Sequence, residues 1–132
     1  MARLIHILLE MAMRHYDEVG RFEHEGFTVV VDKTWEDFDP WEFFDEWEET
    51  RETLYDKINR GVLDWFMLRV RVMLESHVLA VEYLGGCLYE CDKVEDVLTD
   101  GVVENMLYEA LPIARENAKR HLSLLQNVLV GA

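Results

Sequence analysis

The stretch Val62-Leu63-Asp64-Trp65-Phe66-Met67-Leu68-Arg69-Val70-Arg71-Val72-Met73-Leu74 decides the fold class of this 132-residue chain. On an extended backbone Phe66, Leu68, Val70, Val72 and Leu74 share one face, and Trp65, Met67, Arg69, Arg71 and Met73 share the other. A period of two is the signature of a strand with two different surfaces. Glu75-Ser76-His77 connects it to a second run at 78–84, where Leu79, Val81 and Tyr83 alternate with Ala80 and Glu82. Together they predict an antiparallel hairpin with no Gly or Asn-Gly at its turn. Gly85-Gly86 predicts a bend or bulge before Cys87-Leu88-Tyr89.

Working outward, residues 27–32 (Phe-Thr-Val-Val-Val-Asp) have strand composition. Asp39-Pro40-Trp41-Glu42 reads as a helix start, with Asp39 as N-cap, Pro40 in the first turn and Glu42 completing a capping box; the helix should run to about Arg60 and stop at Gly61. Residues 1–16 pattern as an amphipathic helix, with Arg3, His6, Glu10, Arg14 and Asp17 on one stripe and Leu4, Ile5, Leu8, Met11 and Ala12 opposite, ended by Gly20. Asp92-Lys93-Val94-Glu95 reads as a second capping box, opening a short helix closed by Thr99-Asp100-Gly101. From Val102 the stripe Val103, Met106, Leu107, Ala110, Leu111, Ala114, Ala118, Leu122, Leu125, Leu129 keeps helical phase, and Pro112 predicts a kink or two helices meeting near residue 111. The expectation is one α+β domain over residues 1–132. It has a small, largely antiparallel three-stranded sheet with helices on one face, in the order helix-strand-helix-strand-strand-helix-helix.

Half the residues are hydrophobic and 11% aromatic, enough for a folded core rather than a disordered acidic tail. Thirteen Lys and Arg stand against 27 Asp and Glu, a net charge of −14, which argues against direct nucleic-acid binding and against anionic lipid surfaces. No apolar run has the roughly 18 to 20 residues needed to span a bilayer. His6 and Glu10 interrupt the apolar run at the start, which speaks against a signal peptide. Two cysteines and no Asn-x-Ser/Thr acceptor point to a reducing cytoplasm.

The charge is not spread evenly. Residues 1–31 hold five acids and three bases, net −2; residues 57–132 hold eleven and eight, net −3; residues 32–56 hold eleven against Lys33 and Arg51, net −9. In the predicted helix Glu42, Asp45, Glu46, Glu49, Glu52 and Asp56 follow i, i+3, i+4, i+7 spacing, a single carboxylate stripe roughly 21 Å long at about 1.5 Å per residue. Like charges at this spacing disfavour a helix slightly, so helix stability alone does not select the pattern. Trp35, Phe38, Trp41, Phe43, Phe44 and Trp47 are interleaved with the acids. Carboxylates with aromatic anchors suit the groove of a basic partner that ordinarily takes phosphates. The expected partner-binding residues are therefore Glu42, Asp45, Glu46, Glu49, Glu52 and Asp56, with Trp41 and Trp35 as anchors. Glu90, Asp92, Glu95, Asp96, Asp100, Glu104 and Glu109, against Lys93, form a second acidic patch.

Residues suited to catalysis are sparse. Ser76 and Ser123 lie outside any nucleophile-elbow context. Cys87 with His77 is a conceivable nucleophile pair, against the ordinary fate of a free cysteine packed on a sheet. Cys87 and Cys91 lack zinc-knuckle spacing, and the five histidines are scattered. Asp37 and Asp39 could contribute to a divalent-metal site, at a local acid density that needs no metal to explain it. With no phosphate loop or dinucleotide fingerprint, the expectation is a protein that is not an enzyme and takes no cofactor or metal.

Asp64-Trp65-Phe66, Arg69-Val70, Val72, Tyr83-Leu84-Gly85-Gly86-Cys87 and Tyr89 resemble a set of small proteins carried by bacteriophages and prophages. The likeness covers about residues 62–110 and departs from the set at Glu75-Ser76-His77, where a Gly is usual. It brings no activity or site residues. It implies a mobile element in the cytoplasm of a bacterial host, where small acidic proteins act as anti-CRISPR or antirestriction inhibitors. The functional expectation is such an inhibitor, binding the basic surface of a host nucleic-acid-handling complex through a DNA-mimicking helix, with no nucleic acid or membrane bound directly. The alternative is a small structural or regulatory homodimer or oligomer. Leu122, Leu124, Leu125, Val128, Leu129 and Val130 cover most directions of the C-terminal helix, which favours burial inside the monomer over such self-association.

Overall fold

In a computed structural model that describes Ile5, Leu9, residues 13–43 and residues 51–131, four strands form one antiparallel sheet in the order β1-β2-β3-β4. They are β1 (Asp17–His24), β2 (Phe27–Trp35), β3 (Leu63–Leu74) and β4 (His77–Glu90). The α+β class is as expected; the strand count and element order are corrected. The added strand is β1, which joins β2 through a turn at Glu25 (φ 50°) and Gly26 (φ 86°), both in the left-handed region that two-residue hairpins favour. Its sequence, Asp-Glu-Val-Gly-Arg-Phe-Glu-His, lacks clean alternation because a bulge between Glu18 and Gly20 resets the parity, so Val19 and Phe22 both pack on the core. Gly20 does not end a helix. It pairs with Val31, and a Cβ there would lie 2.8 Å from Leu98 Cδ1.

Strands β3 and β4 form the predicted hairpin, with Glu75 (φ 54°) supplying the turn that a Gly usually supplies. The register shifts between Phe66 and Leu68, where Gly85 and Gly86 sit opposite Met67, so the predicted bulge is present. Phe66, Leu68, Val70 and Val72 are buried in the main core as the alternation requires, while Leu74 at the strand end is exposed.

Between β2 and β3 lie α1 (Pro40–Phe43) and α2 (Arg51–Asn59), at the two ends of the single helix expected over 40–60; residues 44–50 lie outside the described residues. The C-terminal end follows the sequence reading. Val62 N donates to Lys57 O at 2.9 Å and Gly61 N to Ile58 O at 3.2 Å, the paired bonds of a Schellman cap, with Gly61 at φ 75°. After β4 the predicted short helix is present as a 3₁₀ helix (Cys91–Leu98) that ends at Thr99, but without the predicted capping box: Asp92 lies inside its first turn, and Glu90 at the N-cap makes no side-chain capping bond. Asp100 instead accepts from Val102 N at 3.1 Å, at the start of the next helix, and from Tyr89 Oη at 2.5 Å.

That helix, α3 (Val102–Val130), is one element of 29 residues with Pro112 inside it, so of the two alternatives at Pro112 the one with two separate helices does not occur. Val103, Met106, Leu107, Ala110, Leu111 and Ala114, with Val94 and Val97 of the 3₁₀ helix, cover the sheet face made by Phe27, Val29, Val31 and the buried β3 residues. Asn117 Nδ2 donates to Leu79 O at 2.7 Å, and Arg115 pairs with Glu25. Beyond this point every residue from 119 to 131 is exposed, which corrects the expectation that the C-terminal helix is buried within the monomer.

The other sheet face is not a polar solvated surface. Val30, Asp32, Thr34 and Met67 on it are buried, and Leu54 of α2, which packs against β3, is buried outside the main core. Ile5, Leu9 and Met13 are helical and exposed, whereas Ile5 was expected to face inward; residues 14–16 are not helical, and the rest of the expected first helix lies outside the described residues. Thr34 Oγ1 donates to His15 O at 2.8 Å, and the Arg69 guanidinium lies 3.4 Å from the Tyr16 ring centre, so this segment crosses the second face. Among the described residues no helix is long and apolar enough to cross a membrane.

Candidate partner-binding surface

The expected binding segment begins where β2 leaves the sheet at Trp35. Its ring is half exposed, and the Arg14 guanidinium lies 4.9 Å from the ring centre, donates to Trp35 O at 3.2 Å and pairs with Asp37. Arg14 was expected on the solvent stripe of the first helix; its side chain is instead almost buried. Glu36 ties the following turn down, accepting from Phe38 N at 3.3 Å and from Gly86 N, at the β4 bulge, at 2.8 Å. Trp65 Nε1 donates to Phe38 O at 2.8 Å, so a pinned backbone holds the Phe38 ring 60% exposed.

Asp39 is the N-cap the sequence called for, bonding Trp41 N at 2.8 Å. Tyr55 Oη also donates to it and Arg51 Nη2 lies 3.5 Å away. The Tyr55 hydroxyl, then the Trp41 amide, hold the Asp39 carboxyl below its usual range, and the same contact raises the Tyr55 phenol. Arg51 sits 5.7 Å from the centre of the Trp41 ring, which is half buried. Each expected anchor thus already receives a guanidinium of its own chain over a ring face beside a carboxylate, Arg14 at Trp35 and Asp37, Arg51 at Trp41 and Asp39. Both contacts are internal to the chain.

Of the expected carboxylates, Glu42, Glu52 and Asp56 are exposed, Asp56 accepting from Arg60 at 3.3 Å. Asp45, Glu46 and Glu49 lie outside the described residues. The charge count of the segment overstates what reaches its surface: Asp32 is buried between Arg69 and Arg71, and Glu36, Asp37 and Asp39 have the partners just given. Among the described residues, the exposed surface of the segment includes Glu42, Glu52 and Asp56 with the rings of Trp35 and Phe38. Nothing local in the sequence announced Arg14, because its contacts to Trp35 and Asp37 span more than twenty residues of chain.

The sites weighed for catalysis are not assembled. Asp37 and Asp39 are turned to separate cations, and among the described residues no group of three His, Cys, Asp or Glu is gathered that could hold a metal. His77 and Cys87 lie ten residues apart on β4, roughly 30 Å by strand rise. Burial pushes the Cys87 thiol up to about 11, away from a nucleophilic thiolate. The second acidic patch is exposed, with Lys93 Nζ 3.1 Å from Glu90. Its acids Asp92 and Glu95 join Glu18 and Lys33 around an open recess of about 400 Å³. No known protein family, curated protein or solved structure matches the chain.

Proposed function

We propose that this protein is a non-enzymatic inhibitor carried by a phage or other mobile element, which binds the basic surface of a bacterial nucleic-acid-handling defence complex of the anti-CRISPR or antirestriction type. One observation carries the reading: the segment with nine of the fourteen net negative charges also displays exposed aromatic rings, Trp35 and Phe38, next to carboxylates that hold arginines over indole faces. Carboxylates alone supply steering and register, and desolvated rings supply affinity. A partner that normally grips phosphate presents Arg and Lys, the side chains this surface receives. In this reading Glu42, Asp45, Glu46, Glu49, Glu52 and Asp56 stand in for phosphates, with Trp35, Trp41 and Phe38 beside them.

The test is capture of the host complex from bacterial lysate by the full chain and by Glu42→Lys/Glu52→Lys, followed by nucleic-acid binding of the captured complex. The wild-type chain should displace nucleic acid from the complex and lose its own binding as salt rises. The double variant should keep its circular dichroism and lose at least about tenfold in affinity, since a close opposite charge turned repulsive is worth more than 1.4 kcal/mol. Undiminished, salt-insensitive capture by the double variant refutes the proposal.

A further inference from the structure

Helix α3 repeats its core-facing pattern in a place where, among the described residues, its side chains are exposed. Eighteen residues are five whole turns at 3.6 per turn, so Met106, Leu107, Ala110 and Leu111 recur at the same angles as Leu124, Leu125, Val128 and Leu129. The first four are between 0% and 8% exposed; the second four are between 56% and 78% exposed. Beside them an open recess of about 460 Å³ is lined by Leu74, Glu75, His77, His121, Leu124 and Leu125. The same stripe that holds the helix to the sheet therefore continues for three turns past it.

We infer that this tail is the interface of a homodimer, in which the exposed half of α3 crosses its copy antiparallel about Leu125. Charge selects the occupant. Elsewhere two chains of net charge −14 repel, but residues 117–132 contain no Asp or Glu and carry Lys119 and Arg120. An antiparallel crossing at residue 125 sets Lys119 and Arg120 of each copy beside the other copy's helix end at 130–131, where the last backbone carbonyls favour a cation. A parallel pairing would stack the four cations together instead. The exposed stretch, roughly 18 Å long and 10 Å wide, is smaller than a standard specific interface, so association is expected to be weak, in the micromolar range. The inference is independent of what the acidic surface binds.

Sedimentation of the full chain from about 1 to 300 µM, spanning that range, should show a shift from 15.6 kDa to twice that mass. Leu125→Lys/Leu129→Lys should stay at 15.6 kDa throughout with unchanged circular dichroism, because both side chains are already exposed in a single copy. In a Cys91→Ser background Leu125→Cys should form a disulfide-linked dimer, and Ala118→Cys, held roughly 21 Å from its copy by seven residues on each side of the crossing, should not. Several results overturn the inference: a wild-type monomer across the whole range, including one that floats with phosphatidylcholine vesicles; a dimer untouched by the two lysines; or cross-linking at 118 as readily as at 125.

Discussion

Asp32 offers the sharpest test of how the second face of the sheet is built. One carboxylate oxygen, Oδ2, accepts from Arg69 Nε at 3.1 Å, Arg69 Nη2 at 2.6 Å and Arg71 Nε at 3.1 Å. The Asp32 side chain is 4% exposed, those of Arg69 and Arg71 14% and 26%. Asp32→Asn keeps the shape and removes the charge, leaving two guanidinium groups next to each other without the carboxylate that bridges them, while the exposed Glu18 carboxylate still acts on Arg71. Breaking a buried pair from one side costs about 3–5 kcal/mol. Because both arginines reach some water and the amide oxygen still accepts one bond, about 2–3 kcal/mol is expected. At roughly 2.1 cal/mol/K of unfolding entropy per residue, that lowers Tm by about 7–11 °C for a chain of this length. Urea unfolding followed by Trp fluorescence measures it directly. Replacing all three residues with apolar ones (Asp32→Leu, Arg69→Met, Arg71→Met) should recover most of the loss, since the packing volume is restored and no charge is left unpaired. A change under about 0.5 kcal/mol for Asp32→Asn, the size of an ordinary surface substitution, would show that the cluster is solvated and the reasoning wrong.

Gly61→Ala places a side chain at φ 75° in the Schellman cap of α2 and should destabilise by about 1–2 kcal/mol in urea titration; an unchanged midpoint would mean the cap is not formed. The Tyr55 hydroxyl and the Trp41 amide lower the Asp39 carboxyl, so its contribution is present above the ordinary carboxylate value near 3.9 and is lost as pH falls through the lowered one. The urea midpoint of Asp39→Asn should accordingly fall less than that of the wild type between about pH 4 and pH 2, and parallel curves would contradict this. Native protein treated with iodoacetamide at about pH 8 should gain one adduct, on exposed Cys91, and a second on buried Cys87 only after unfolding, as read by mass spectrometry. Rapid double labelling of the folded chain would place Cys87 at the surface.

The β3–β4 hairpin, its bulge at Gly85-Gly86, the Asp39 cap and the Gly61 stop were legible because each is set by neighbours within a few residues: alternation, a side chain bonding its own backbone, a position that only glycine fits without strain. Strand β1 was not, since its bulge scrambles the period of two and its apolar residues are few. Nor was the inner position of β2, whose Val29, Val30 and Val31 are buried on both faces. The candidate surface was legible as a density of acids and rings, but not the fate of each acid.

By itself the sequence determined the α+β class, the main core face of β3 and the concentration of charge in residues 32–56. Pattern and composition carry these, because they depend on which residues are present and how they are spaced. Only the tertiary structure decided that Asp32 lies inside between two arginines, that Arg14 sits on Trp35, and that the stripe of α3 is buried at Leu107 and bare at Leu125. Helical phase says which way a side chain points. Whether another element stands there depends on where the sheet ends, and distant pairing of strands sets that.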